Sequence, residues 1–252
     1  FTIDTTPPGA PTGVTSSSLN GISPNRYVST ANTTFTWSSG GGGNGVYRYS
    51  LDGGTTWSAA AAGTSRTIST PRAEHNLVLQ ERDAAGNWSL SSSPVVFLAQ
   101  PVFLSRVDLN VAVGPASTGT LYVAIRRGAT ELGIASMDQP SNRGFSDWWS
   151  FNYGDIPVLP NEVITIAARR SDDQVLNDNY TTWWSADGPI GTNVYPYGEG
   201  TGGADDVDMT FRTYTRTTPG GAETLDQQQT ELLYGYRLFP SDRTQTFTVQ
   251  AP

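Results

Sequence analysis

An all-β fold in two modules is predicted by three features of this sequence. Turn formers are abundant, with 27 Gly and 16 Pro in 252 residues. Charged residues make up only 15% of the chain, a composition that describes short strands joined by many turns rather than helices. Apolar and polar residues alternate with a period of two in several runs, as half-buried strands require. The length suits two modest domains or one large one, and either can bury a core.

Taken in order, Thr33–Trp37 is the first β-rich run, and Ser38, Ser39 and the Gly40–Gly43 tract end it. Val46–Leu51 follows and runs into Asp52-Gly53-Gly54 before Thr55-Thr56-Trp57, which reads as a hairpin because such turns require the positive φ that these residues reach. Leu77 and Leu79 share one face of a later strand. Asp83-Ala84-Ala85-Gly86-Asn87 then turns the chain into Trp88–Leu98. Regularly spaced strands and turns of this kind predict a small β-sandwich over residues 1–100.

Three ordered motifs in this stretch carry a resemblance. Asp4-Thr5-Thr6-Pro7-Pro8, Ser50-Leu51-Asp52-Gly53-Gly54-Thr55-Thr56-Trp57-Ser58 and Asp83-Ala84-Ala85-Gly86-Asn87 resemble the bacterial Ig-like, fibronectin-III-like repeats of large surface adhesins. The resemblance implies an Ig-like sandwich; fold likeness alone assigns no function.

Residues 101–252 form the second expected module. Val107, Leu109, Val111 and Val113 fall on one face, against Arg106, Asp108, Asn110 and Ala112 on the other, so one face is expected buried and one wet. Leu121, Val123 and Ile125 repeat the pattern, Val163–Ala168 is a continuous apolar strand, and Val207, Met209, Phe211 and Thr213 alternate again. This layout, with Leu159-Pro160-Asn161-Glu162 before a strand and Asn193–Tyr197 before Asp208–Tyr214, is similar to jelly-roll modules appended to bacterial exported proteins. Residues 217–230, containing Pro219-Gly220-Gly221 and Gln227-Gln228-Gln229, read as a linker. Leu232–Phe239 and Thr244–Val249 are then surplus strands within 231–252. They close the sandwich in cis, as a permuted topology, or are donated to a neighbouring copy.

Composition removes several function classes. All 15 basic side chains are Arg, the net charge is −8, and no window offers the basic stripe that a nucleic-acid partner needs. With no Cys there are no disulfides and no thiolate zinc sites. No apolar run is long enough for a helical membrane span. An acidic, Lys-free chain rich in Ser, Thr and Gly points to an extracellular or cell-surface setting, and a start at Phe1 suggests a segment of something longer.

A single histidine, His75, leaves no Ser-His, Cys-His or multi-His constellation and is expected to be structural. The seven Glu residues include no Glu-x-Asp-x-Glu strand of the kind a glycanase presents, so a hydrolase is a distant reading. A polysaccharide lyase, which wants a basic residue or a Tyr beside the sugar, is not excluded. Calcium is the expected cofactor, because oxygen-only donors suit a hard cation. The Ig-like resemblance nominates Asp4 and Asp83, with Asn87, as ligands; the plain alternative is Asx-type turns. The clusters Asp172, Asp173, Asp178 and Asp205, Asp206, Asp208 lack EF-hand spacing and read as solvated loop acids.

Aromatic residues supply the remaining signal. Trp148, Trp149, Tyr180, Trp183, Trp184, Tyr195 and Tyr197 are set among polar residues in the second module. In extended chain the neighbours of a Trp-Trp pair point to opposite faces, so one member enters the core and the other faces out. Outward rings are what a sugar ring stacks on, and equally what dominates protein interfaces. The resulting expectation is a non-catalytic adhesion or carbohydrate-binding segment whose partner is a polysaccharide or a surface protein. The rival is a filament or surface-layer subunit whose partners are other copies of itself, assembled by strand donation.

Overall fold

Strict alternation in the run Asn32–Ser38 buries Thr33, Phe35 and Trp37 and exposes the residues between them. The computed structural model describes residues 3–23, 26–113, 119–138, 147–171, 181–184, 200–201, 210–229, 236–238 and 243–250, with no helix among them. Two units divide between Pro101 and Val102.

The first unit carries β1 (Thr12–Thr15), β2 (Asn20–Ser23), β3 (Arg26–Ser29), β4 (Asn32–Ser38), β5 (Val46–Ser50), β6 (Ala61–Ala62), β7 (Ser65–Ser69), β8 (Glu74–Arg82) and β9 (Val95–Ala99). One sheet runs β1-β4-β7 and the other β2-β3-β9-β8-β5-β6. Between them lies a core of Phe35, Trp37 and Ile68 from the first sheet against Tyr47, Leu77, Leu79 and Phe97 from the second. Phe35 meets Phe97 with ring centroids 5.5 Å apart, and Trp37 meets Tyr47 edge-on at 5.4 Å.

Two local expectations need correction. Asp52-Gly53-Gly54 does turn the chain, with φ of 73° and 105° at the glycines, but Thr55–Trp57 is not the returning strand. The Asp52 carboxylate accepts the Thr56 N–H at 2.9 Å and its hydroxyl at 2.6 Å, taking the donor a ladder would need; the Ser58 N–H donates to Tyr49 O of β5 at 2.9 Å, and regular ladder pairing with β5 follows at β6. Trp88–Pro94 is likewise not a continuous strand. Ser89 Oγ and Ser92 Oγ accept the backbone N–H groups of Glu81 (2.9 Å) and Leu79 (3.0 Å), so side chains replace part of the ladder there. Ile3 belongs to no strand.

The glycine tract is a packing device. The Gly9 N–H donates to Gly41 O at 2.9 Å, and a Cβ on Gly40 would overlap the backbone of Gly9 and Ala10. The two segments therefore approach backbone to backbone.

The second unit contains β10 (Val102–Val113), β11 (Thr120–Arg127), β12 (Thr130–Asp138), β13 (Asp147–Val158), β14 (Val163–Arg170), β15 (Thr181–Trp184), β16 (Gly200–Thr201), β17 (Phe211–Arg216), β18 (Thr224–Gln229), β19 (Tyr236–Leu238) and β20 (Arg243–Thr248). One sheet runs β18-β17-β10-β15-β19, with β13 paired along β10; the other runs β12-β11-β14-β20-β16. Val107, Leu109, Val111, Leu121, Val123, Ile125, Ile164, Ile166, Phe211 and Phe247 fill the space between them. The architecture is a second β-sandwich.

Residues 217–230 are not a linker. Pro219-Gly220-Gly221 forms the turn of a β17–β18 hairpin, with Gly220 at φ 68°, and Gln227–Gln229 lie in β18. The C-terminal strand is not surplus: β20 pairs antiparallel with β14 in the same chain, placing Ile164 opposite Phe247 and Ile166 opposite Gln245. Gln245, Phe247 and Val249 all point inward and are buried. This pairing is the cis arrangement of the C-terminal strand.

Two stability outcomes follow. Phe247→Ala is expected to cost about 3–5 kcal/mol in urea unfolding of the second unit, the range for a buried Phe; an unchanged midpoint would mean that β20 lies outside the core. Gly40→Ala is expected to cost about 1–3 kcal/mol in the first unit, as overpacking does, and no loss would show that Gly9 and Gly40 do not abut.

Candidate functional site

The outward face of β13, β10 and β17 gathers the polar side chains that the alternation of Val107–Val113 turns away from the core. Register sets Trp148 opposite Asn110, Ser150 opposite Asp108 and Asn152 opposite Arg106 on one side of β10. On its other side Arg212 lies opposite Asp108 and Tyr214 opposite Arg106. This face was expected to be wet along β10, yet Asp108 is 5% and Asn110 2% exposed. For Asp108 the cause is a central strand with an occupied row on each side, and an ion pair from Arg106 Nε at 3.2 Å.

Ion pairing is extensive here. Glu223 bridges two guanidinium groups, meeting Arg106 at 3.1 Å and Arg216 at 3.0 Å. Asp155 meets Arg216 at 2.8 Å and accepts the Gly220 N–H at 2.7 Å. Asp155 has φ 51°, in a stretch of β13 where register with β10 shifts, and this bulge accompanies its contact with the β17–β18 turn. Arg106 also stacks on Tyr214, with 3.7 Å from guanidinium carbon to ring centroid.

The predicted aromatic residues divide as a strand requires. Trp149 is 1% exposed and part of the core, so it is withdrawn from any outward platform. Trp148, its neighbour, faces out, is half-buried, and carries the Arg212 guanidinium 4.0 Å from its ring centroid. Trp183 and Trp184 lie in β15, with Trp183 opposite Val111 of β10, and only their backbone is described. Tyr180, Tyr195 and Tyr197 lie outside the described residues, as do the clusters Asp172, Asp173, Asp178 and Asp205, Asp206, Asp208.

A second aromatic array, in the first unit, was not singled out as a site from sequence. The Arg48 guanidinium sits 4.5 Å from the Trp57 ring and 4.2 Å from the Trp88 ring, and Arg82 lies 5.7 Å from Trp88. Arg48 Nε and one terminal nitrogen both donate to Gln80 Oε1, at 2.9 and 2.6 Å. The column is internally satisfied and braces the outer face of β5 and β8. Trp57 and Trp88 are 31 residues apart, so only the β5–β8 register unites them.

Asp4, Asp83 and Asn87 do come together. Asn87 Nδ2 donates to Asp4 O at 3.0 Å and to Asp83 Oδ2 at 2.9 Å, while the Asn87 N–H donates to Asp83 Oδ1 at 2.8 Å. The Asp4 carboxylate accepts its own Thr6 N–H at 2.9 Å. The knot closes on hydrogen bonds, and a cation would have to displace the Asn87 amide. These three residues do not by themselves make up the six to eight oxygens calcium takes. Among the described residues no group of three or more His, Asp or Glu is arranged to hold a metal. His75 is buried, packs 5.3 Å from the Phe97 ring, and has Nε2 2.8 Å from Pro71 O, a structural setting.

No family model matches the chain. Among curated proteins it matches in part Endoglucanase B of Cellulomonas fimi, 37% identical over 83 residues, or 30% of this chain and 8% of that protein. The match thus spans a small fraction of its relative's length. Together with two all-β units, this is compatible with Ig-like or jelly-roll modules of the kind appended to larger proteins.

The knot has a pH signature. Hydrogen bonds from the Asn87 side chain, then from backbone N–H groups of the same turn, hold the Asp83 carboxyl below its ordinary range. A depressed carboxyl adds stability that is present above the unfolded value of about 3.9 and lost as pH falls through the folded one. Asp83→Asn should therefore flatten the acid limb of melting temperature below about pH 4. A higher wild-type melting temperature in calcium than in chelator is the outcome expected if Asp4, Asp83 and Asn87 are ligands, and no shift would overturn that assignment.

Proposed function

We propose that this chain is a non-catalytic, extracellular polysaccharide-binding segment of a larger protein, and that it binds on the outward face of β13, β10 and β17. The observation carrying the reading is Trp148: a half-buried indole on a sheet face, beside the exposed polar side chains of Ser150 and Asn152. Such a ring offers an apolar plane to the C–H face of a sugar, while neighbouring amide, hydroxyl and guanidinium groups meet its hydroxyls. The partial likeness to an endoglucanase supports a setting in which polysaccharide is at hand.

A binding role also agrees with the state of the acids. Asp108, Asp155 and Glu223 are each engaged by Arg106 or Arg216, and an acid so held is ill-suited to take or give a proton at a glycosidic bond. The first unit, with its braced outer face, serves in this reading as a spacer.

The test is affinity electrophoresis against a panel of soluble polysaccharides. Trp148→Ala should weaken retardation at least tenfold in apparent affinity while leaving melting nearly unchanged. Trp149→Ala should instead cost about 3–5 kcal/mol of stability, as buried aromatic truncation does. A chain that no polysaccharide retards, or a Trp148→Ala variant retarded like wild type, would overturn the proposal.

A further inference from the structure

Three carboxylates and three guanidinium groups are described on the same face, but their pairing is uneven. Asp108, Asp155 and Glu223 are its carboxylates, and all three are taken by Arg106 and Arg216. Arg212, the third guanidinium of the face, has Trp148 as its partner and makes no ion pair or hydrogen bond among the described residues. It is half-buried, and its guanidinium N–H donors have no acceptor among the described residues.

A guanidinium presents five N–H donors in a rigid fork that matches a carboxylate with two parallel bonds. A hydroxyl takes one such donor, whereas a carboxylate takes two in parallel, which adds both energy and geometric specificity. A partly desolvated guanidinium with open donor sites beside a stacking ring therefore favours a sugar that brings a carboxylate to fill them. Resting on the binding reading above, we infer that the glycan recognised here carries uronic-acid residues. The sugar ring stacks on Trp148 and its carboxylate takes the Arg212 fork.

The net charge of −8 does not oppose this. Exposed charges more than about 8 Å away are largely screened at physiological salt, and within the face an added carboxylate meets the guanidinium whose donors no acid of the face takes. The acidic chain also gives a polyanion no non-specific reason to bind. Affinity for an acidic polymer would thus report the site and not bulk attraction.

The experiment titrates the full chain calorimetrically with polygalacturonate, alginate and glucuronoxylan. Each polymer is paired with its own carboxyl-reduced, neutral form, and hydroxyethylcellulose is included as a neutral glucan. At least one acidic polymer should bind ten times or more tightly than its reduced form. Arg212→Gln should bring that ratio to within twofold of unity, Arg212→Lys should keep part of it, and Trp148→Ala should weaken both forms.

The ratio compares two ligands on one protein sample. If a variant fails to fold and binds neither, the wild-type ratio decides alone. Equal binding of acidic and reduced forms, binding of neutral polymers only, or a ratio that survives Arg212→Gln overturns the uronate assignment and leaves polysaccharide binding standing. Failure of every polymer to bind the wild type overturns both.

Discussion

Phe247 packed against Phe211, ring centroids 5.9 Å apart, is the contact on which the second unit depends. It joins the C-terminal strand in one sheet to β17 in the other, so the last residues of the chain help hold the sheet that bears the polar face. Without β20, Ile164 and Ile166 of β14 lose their paired neighbours and the core opens at that point. The polar face is thus built on residues that are far apart in the chain. Trp148 comes from β13, Arg212 from β17, and the strand between them from the start of the unit.

Period-two alternation made much of this readable in advance. Val107, Leu109 and Val111, and likewise Leu121, Val123 and Ile125, are buried as their spacing requires, because an inward row in a sandwich must be apolar. The two cores also separate along the chain, with Phe97 in the first and Val102 in the second. Of the paired tryptophans, opposite facing was predictable, but which one enters the core was not. That choice belongs to the register of β13 against β10.

Other elements were illegible for physical reasons. Thr224–Gln229 lacks an apolar row because it is an edge strand whose exposed residues include Leu225 and Gln228, so it passes for a linker. Thr130–Asp138 is likewise an edge strand with scattered burial and a glycine where Ile156 leaves no room for a Cβ. Burial of Asp108 and Asn110 contradicts a rule that treats every outward residue as wet, and such burial is visible only once neighbouring rows are in place. The Trp57–Arg48–Trp88 column requires knowing that β5 and β8 are neighbours, which no local pattern states. The Asp4, Asp83 and Asn87 association was legible from motif likeness, whereas its closure by amide hydrogen bonds was not.

Every cation stacked on a ring in this chain is a guanidinium, since the sequence contains no lysine. Guanidinium groups keep their proton to strongly alkaline pH, so the columns at Trp57, Trp88, Trp148 and Tyr214 do not come apart through loss of charge on the cation in basic solution. Acylating and glycating agents that neutralise side-chain amines find no such amine here. The chain's surface chemistry is, in this respect, inert where a lysine-bearing sandwich would be gradually rewritten.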